Sequence, residues 1–273
     1  MVEHRPRCSG KLHSELPGRQ GPVPAMTHRL YIDLPLQEGH LIDLPEDAVR
    51  HVQVLRLQPG SPVVVFNGRG GEWQSSIGHI GRNDAQVRVG VYHPRNCEVA
   101  WRVTLAVGMP ANDRMDGLVE KATELGVDAV QPLVTERSVL RLAGERAVRK
   151  REHWQSIAAA AAQQCGRTRL PRVEPVRPLG EWLARLPHGV LDSRWLLSLR
   201  GAKAVVDLAA QGGPATLIAL SGPEGGLTAA EEVAALNHGF VAAGLGPRVL
   251  RADTAPIALL AHLSLLGDAI GRA

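Results

Sequence analysis

The chain has 273 residues, of which 44% are hydrophobic, and it carries a formal net charge of +4. This length and composition suit one large or two modest globular domains and exclude a disordered or a fibrous protein. No apolar run reaches the roughly 18 residues of a membrane span, and the three cysteines lack disulfide-framework or metal-ligand spacing. We therefore expect a cytoplasmic protein without membrane or metal partners, and the basic balance fits a nucleic-acid partner.

The N-terminal third of the chain predicts a small β-rich domain. Residues 1–25 are rich in Pro, Gly, Arg and His without periodicity, which predicts a disordered extension. Residues 26–95 contain an Asn-Gly turn at 67–68 and alternating valines at 87–91, both typical of antiparallel strands. Predicted strands cover residues 63–66, 73–80 and 86–91, and a predicted helix covers residues 45–55. Residues 26–95 are therefore expected to form a barrel-like domain.

The remainder of the chain, residues 96–273, alternates between strand and helix patterns. Predicted strands cover residues 103–107, 127–134, 215–220 and 240–243. Predicted helices cover residues 113–125, 147–165, 228–238 and 254–266. Thr228 and Glu231 have the spacing of a capping box, and Gly126 and Gly166 each stand where a helix should end. This alternation predicts a parallel sheet covered by helices.

Two Gly-rich loops stand out within that pattern. Residues 221–227 read Ser-Gly-Pro-Glu-Gly-Gly-Leu, and residues 245–251 read Leu-Gly-Pro-Arg-Val-Leu-Arg. Each loop follows a predicted strand and precedes a predicted helix, and ligands of α/β sheets bind beyond the carboxyl ends of the strands. Either loop alone would be an ordinary turn. The pair predicts a site where backbone groups hold a flat, polar small molecule.

The first loop does not suit a phosphate ligand. It lacks the Lys-Ser/Thr ending of a P-loop and the G-x-G-x-x-G spacing of a dinucleotide site. Glu224 would also repel a phosphate group. An uncharged base and ribose joined to a cationic sulfonium suit the loop better, and a Rossmann-type dehydrogenase is a distant alternative.

Several segments, in the right order over residues 28–268, resemble the RsmE family of 16S ribosomal RNA uridine-N3 methyltransferases. The most specific are residues 220–228 and 245–255, which look like that family's paired binding signature for S-adenosylmethionine (SAM). Further similar segments are residues 48–56, 66–70, 113–116, 121–127, 135–138 and 164–167. The resemblance implies SAM as the cofactor and N3 of uridine 1498, in the 16S RNA of the small ribosomal subunit, as the target.

The resemblance also implies an α/β fold of the SPOUT class. Residues 96–273 would form the SPOUT methyltransferase domain, a parallel sheet with a deep trefoil knot. Residues 26–95 would form a PUA-like β-barrel that binds RNA. Enzymes of this class are homodimers, with SAM in the knot and the target base entering near the partner subunit.

Candidate cofactor-binding residues follow from the match to the two loops. They are Leu220, Gly222, Pro223, Glu224, Gly225, Gly226, Leu245, Gly246 and Leu250. Methylation of N3 requires removal of its proton, and Asp253 is our candidate base. Arg251 and Arg137 could stabilise charge on the uracil oxygens. Asp253 could instead cap the last helix, and Arg137 could bind phosphate.

The basic excess of the chain is concentrated in residues 136–177, which carry ten basic and four acidic side chains. This stretch predicts either an RNA-facing surface or a solvated helix face. The arginines that we expect to contact RNA phosphates are Arg29, Arg50, Arg56, Arg167, Arg169 and Arg172.

Two alternative functions are also compatible with the sequence. Ala111 stands where family members commonly have Lys, and Gln163 and Asp253 stand where many have Glu. These departures keep open a non-catalytic RNA-binding factor of ribosome assembly. The other alternative is a SPOUT methyltransferase that acts on another RNA or at a ribose 2′-hydroxyl.

Overall fold

The computed structural model describes residues 28–111, 113–187, 193–210 and 216–270. The extension predicted at residues 1–25 lies outside this range. No helix among the described residues is long and apolar enough to cross a membrane.

The first sheet lies in residues 28–93 and has five strands. They are β1 (His28–Tyr31), β2 (Leu41–Asp43), β3 (Pro62–Phe66), β4 (Glu72–Ile80) and β5 (Ala85–His93), in the spatial order β1-β3-β4-β5-β2. β1 pairs with β3 in parallel, and the other pairs are antiparallel. Side chains alternate along a strand, so Val63 and Val65 of β3 enter the core together. Helix α1 (Glu46–Val54) covers this core with Val52.

The second sheet is parallel throughout. Its strands are β6 (Arg102–Gly108), β7 (Ala129–Val134), β8 (Arg172–Val173), β9 (Arg177–Pro178), β10 (Ser193–Leu197), β11 (Lys203–Ala204), β12 (Thr216–Ser221) and β13 (Val241–Gly244). The spatial order is β11-β13-β10-β12-β6-β7-β8, and β9 also pairs with β7. The sheet confirms the α/β prediction and places β13, β10 and β12 side by side.

Helices pack on both faces of this sheet. They are α2 (Arg114–Glu124), α3 (Gly144–Cys165), α4 (Leu179–Leu183), α5 (Val205–Ala210), α6 (Ala229–Asn237) and α7 (Thr254–Ile270). One core includes Met115 of α2, Trp154 of α3 and Leu259 of α7. The core on the other face includes Trp182 of α4 and Ala235 of α6. Such two-sided cover explains why these parallel strands are predominantly apolar.

Several helix boundaries agree with the sequence. Gly126 and Gly166 have φ angles of 87° and 86°, in the left-handed region that ends a helix. Thr228 and Glu231 form both hydrogen bonds of the capping box at the start of α6. Asp113 precedes α2 without a side-chain capping bond.

The two sheets are joined along an inter-domain seam, formed by residues 67–71 of the first domain and residues 167–170 of the second. The N–H of Gly70 donates to the carbonyl of Thr168 at 3.0 Å, and the N–H of Leu170 donates to the carbonyl of Gly68 at 3.0 Å. The backbones of Arg69 and Arg169 form an isolated antiparallel β-bridge between the two segments. These bonds continue strand-like pairing from one domain into the other.

Candidate active site

The loops after β10, β12 and β13 surround one cavity of about 520 Å³. These three strands are neighbours and parallel, so their carboxyl ends open at the same edge of the sheet. The lining includes residues 197–200 and 221–227, Leu245 and residues 248–252, with Arg114 and Arg137 from the neighbouring loops. A small-molecule site typically has a volume of about 300–1,000 Å³, so the cavity is of ligand size.

Most of the predicted cofactor-binding residues line this cavity. The seven that do are Gly222, Pro223, Glu224, Gly225, Gly226, Leu245 and Leu250. Leu220 is fully buried in the apolar core of the α4 and α6 face, so its side chain does not belong to the lining. Gly246 is not a lining residue, but its φ of 97° lies in the left-handed region and lets the second loop turn.

The cavity has features that fit SAM. A Cβ at Gly222 would lie 2.7 Å from the backbone nitrogen of Leu227, so only glycine permits this tight loop. The hydroxyl of Ser221 is buried at the cavity and has no hydrogen-bond partner among the described residues. A buried hydroxyl is normally satisfied, so Ser221 is available to a polar ligand. Backbone groups of the glycines could then hold an uncharged base and ribose.

Glu224 has a structural role in the first loop. Its Oε1 accepts hydrogen bonds from the backbone N–H of Ala111 and from Nη1 of Arg114, each at 3.0 Å. Partial burial alone would raise the pKa of Glu224. The N–H groups of Ala111 and of Glu224 itself, together with Arg114, outweigh this effect, so its pKa lies below the ordinary value. The carboxylate therefore ties the loop after β12 to the loop after β6.

Arg137 also holds the first loop. Its Nη1 donates to the carbonyl of Gly225 at 2.9 Å and, more weakly, to that of Leu227 at 3.5 Å. Its side chain covers Gly225, where an added Cβ would lie 3.1 Å from the Cβ of Arg137. The guanidinium thus shapes the cavity wall, and the charge-stabilising role predicted for it stays a prediction.

The loop after β10 also lines the cavity, although the sequence pattern predicts no strand before it. It contributes Leu197, Ser198, Leu199 and Arg200 to the cavity. The sequence does contain a weak indication of a strand, because residues 194–197 read Arg-Trp-Leu-Leu and a Gly follows at 201. A short apolar run of this kind does not distinguish a buried strand from a helix segment.

Of the three predicted catalytic residues, Arg137 and Arg251 line the cavity and Asp253 does not. Oδ1 of Asp253 is buried and has no hydrogen-bond partner among the described residues. This oxygen therefore does not cap α7, which begins at Thr254.

Comparisons with known proteins agree with this geometry. The profile of an RNA methyltransferase domain matches residues 97–264, and that of an RNA methyltransferase PUA domain matches residues 44–90. The ribosomal RNA small subunit methyltransferase E of Bacillus subtilis is 30% identical over 86% of this chain and 95% of its own length. The chain belongs to the methyltransferase E family.

Two solved structures resemble the whole fold. The methyltransferase E of Neisseria gonorrhoeae, crystallised with S-adenosyl methionine, is 34% identical with a TM-score of 0.81, covering 88% of this chain and 98% of its own. A putative methyltransferase of Legionella pneumophila, also bound to SAM, is 31% identical with a TM-score of 0.83, covering 89% and 99%. The match covers both sheets, so the prediction of the family from sequence is confirmed.

Within this family fold, two of the six arginines predicted to contact RNA are structural. Arg167 is 4% exposed. Its guanidinium donates to the carboxylate of Glu98 and to the carbonyls of Thr123 and Val127, both at 3.0 Å. Arg29 is ion-paired with Glu72 and donates to the carbonyl of Arg167. The prediction of an RNA contact is wrong for Arg167, because burial and internal bonds occupy its donors.

The other four arginines are exposed. Arg50 pairs with Glu46 along α1, and Arg172 pairs with Asp128 and Glu174. Arg169 lies at the inter-domain seam over Gly70. Arg56 follows α1 with a φ of 53°, in the left-handed region. Contact of these four side chains with RNA stays a prediction.

Proposed function

We propose that this protein transfers a methyl group from SAM to N3 of one uridine in the 16S RNA of the small ribosomal subunit. The observation that carries the proposal is the convergence of three loops, at the ends of β10, β12 and β13, on a cavity of ligand size. In it, the Ser221 hydroxyl has no hydrogen-bond partner among the described residues. Membership of the methyltransferase E family supports the reaction class. We also propose that residues 96–273 form a deep trefoil knot and that the protein is located in the cytoplasm.

Residues of the cavity, together with Asp253 next to its lining, perform the separate steps of the reaction. Bound SAM supplies an electrophilic methyl group. The loop glycines and Ser221 hold the cofactor in place, and Arg251 stabilises the negative charge that develops on the uracil oxygens. Asp253 accepts the proton from N3. Its Oδ1 is buried without a partner among the described residues, and such an unsatisfied acceptor costs about 1–3 kcal/mol, which substrate binding would recover.

The two parts of the chain have different roles in the proposed reaction. Residues 26–95 dock the RNA, and residues 96–273 carry out the methyl transfer. We include a homodimer, because α7 is apolar and exposes Leu265 at 73% of its surface. Leu259, Leu260 and Leu263 of α7 are buried in the core, so Leu265 would be the residue of this helix that contacts the partner subunit.

The test uses small ribosomal subunits from a strain that lacks the enzyme. The purified protein is incubated with labelled SAM and these subunits, and mass spectrometry of the digested RNA locates the methyl group. We expect one N3-methyluridine in 16S RNA. The Asp253→Asn variant should bind SAM normally and lose methyl transfer. SAM binding without any transfer by the wild-type protein would favour a non-catalytic assembly factor, and a methyl group on other RNA would give a different substrate.

A further inference from the structure

Tyr92, near the end of β5, is the one exposed aromatic side chain among the described residues. The chain has five Trp, two Tyr and two Phe, and all of these except Tyr92 are buried or half-buried. Tyr92 is 45% exposed. Most of the aromatic rings thus serve the cores of the two domains, whereas a large part of the Tyr92 ring is open to a ligand.

The buried side of the Tyr92 ring is held by packing. Its centroid lies 5.0 Å from that of Trp73 on the neighbouring strand β4, with an angle of 55° between the two planes. Trp73 in turn packs against the core of the first domain. The ring also covers Gly71, where an added Cβ would lie 2.2 Å from the phenol oxygen. The ring is therefore oriented before a ligand binds, which lowers the entropic cost of binding.

A positive charge lies beside this ring, at the inter-domain seam. An added Cβ at Gly70 would lie 3.3 Å from Nη2 of Arg169, so the guanidinium covers Gly70 as the ring covers Gly71. Consecutive Cα atoms are about 3.8 Å apart, so both groups lie beside one short stretch of backbone. Arg69 is paired with Asp33, whereas Arg169 is exposed and has no ion pair among the described residues. The charge of Arg169 is therefore available to an anionic partner.

A flat aromatic face next to an available guanidinium matches one nucleotide of single-stranded RNA. An unpaired base can stack on an aromatic ring, whereas a base within a duplex is already covered by its neighbours. A phosphate beside that base can accept from the guanidinium. The N–H of Gly70 donates to the carbonyl of Thr168, so the seam holds the ring from one domain and the guanidinium from the other in a fixed arrangement.

We propose that Tyr92 and Arg169 form a docking site for an unpaired nucleotide of the RNA substrate, with its base stacked on the Tyr92 ring and a phosphate bound to Arg169. The inference rests on the proposed function, because RNA is the substrate of that reaction. Neither Tyr92 nor Arg169 lines the cofactor cavity. The site therefore positions the RNA and takes no part in the transfer of the methyl group.

The first test removes the flat ring and keeps an apolar cover over Gly71, in the variant Tyr92→Leu. Filter binding measures the Kd for small ribosomal subunits from a strain that lacks the enzyme. We expect this Kd, and the KM for the same subunits, to rise about tenfold, because the stacking contact is lost. The value of kcat at saturating subunits should stay within about twofold of wild type. Tyr92→Phe keeps the ring and should bind as wild type does.

The matched control is Val91→Ala. Val91 is 55% exposed and precedes Tyr92 on β5, so its side chain points to the opposite face of the strand. Its truncation should leave the Kd for the subunits unchanged. An unchanged Kd in Tyr92→Leu would overturn the inference. Equal losses of affinity in Tyr92→Leu and Val91→Ala, or in Tyr92→Leu and Tyr92→Phe, would also overturn it, because neither pattern follows the presence of the ring.

Arg169→Ala tests the phosphate contact. Loss of one such contact should lower the slope of log Kd against log salt concentration by about one. An unchanged slope would overturn the assignment of Arg169. Failure of the proposed function is distinguishable from failure of this inference, because the wild-type protein would then transfer no methyl group to the RNA, whereas the binding comparison between Tyr92→Leu and Tyr92→Phe does not depend on methyl transfer.

Discussion

The carboxylate of Glu231 accepts a hydrogen bond from the backbone N–H of Glu136 at 2.8 Å. Glu231 lies in the first turn of α6, whereas Glu136 belongs to the loop after β7. The other carboxylate oxygen accepts from the N–H of Thr228 and completes the capping box. One side chain therefore fixes the start of α6 and joins the loop that contains Arg137 to the loop that lines the cofactor cavity.

The link between these two loops can be separated from the helix cap by two variants. Thr228→Ala removes the capping hydroxyl, and Glu231→Ala removes its partner; each change should cost about 1 kcal/mol in the free energy of unfolding. Glu231→Ala also releases Glu136, so it alone should weaken SAM binding. Chemical denaturation and calorimetric titration with SAM measure the two effects. Equal loss of SAM affinity in both variants would show that the link to Glu136 is unimportant.

Arg137 should affect cofactor affinity rather than the chemical step. Arg137→Ala removes the bond to the carbonyl of Gly225. Loss of a hydrogen bond worth about 1 kcal/mol should raise the Kd for SAM roughly fivefold. The value of kcat at saturating SAM should stay close to that of wild type. A large fall in kcat at saturating SAM would instead support the charge-stabilising role predicted from the sequence.

Arg167 should be essential to stability. Arg167→Met would leave the carboxylate of Glu98, whose side chain is 19% exposed, without its partner. Removal of one member of such a pair costs about 3–5 kcal/mol. Urea denaturation should show a loss of this size. Arg169→Ala is the control, because Arg169 is exposed and its truncation should change stability by less than about 1 kcal/mol. Comparable stability of the two variants would contradict the structural role of Arg167.

Glu224 predicts a pH-dependent contribution to stability. Its pKa in the folded protein lies below the ordinary value of 4.5, so the charged form is favoured by folding. The contribution is therefore fully present above the unfolded pKa and is lost as the pH falls through the folded pKa. Glu224→Gln keeps the shape and an acceptor oxygen but not the charge. Thermal melts should show wild type as the more stable protein at pH 7, with a difference that shrinks on acidification below about pH 4.5. A difference that is independent of pH would exclude the carboxylate charge as its cause.

Local signals in the sequence predicted local features well. The glycine at 166, the Thr228 and Glu231 spacing and the two Gly-rich loops all depend on neighbouring residues, and the structure has each of them. Backbone conformation at these positions follows from steric and capping rules that act over a few residues. Seven of the nine predicted cofactor-binding residues line the cavity for this reason.

Features that depend on distant parts of the chain could not be predicted. Arg167 reads as a surface residue because Glu98, its partner, is far away in sequence. β10 lies in the middle of the parallel sheet, but its five residues carry too little periodicity to identify a strand. The loop that follows β10 was therefore not predicted as part of the site. Charge pairs and strand order are set by packing of the whole chain, which a window of residues does not contain.

The inter-domain seam has a consequence for how the protein unfolds. Gly68 and Gly70 exchange backbone hydrogen bonds with residues 168–170, and Arg29 donates to the carbonyl of Arg167. A fragment that ends before residue 97 would expose these donors and acceptors as an open sheet edge, which invites self-association. The two domains should therefore unfold together in one cooperative thermal transition, and not in two independent transitions.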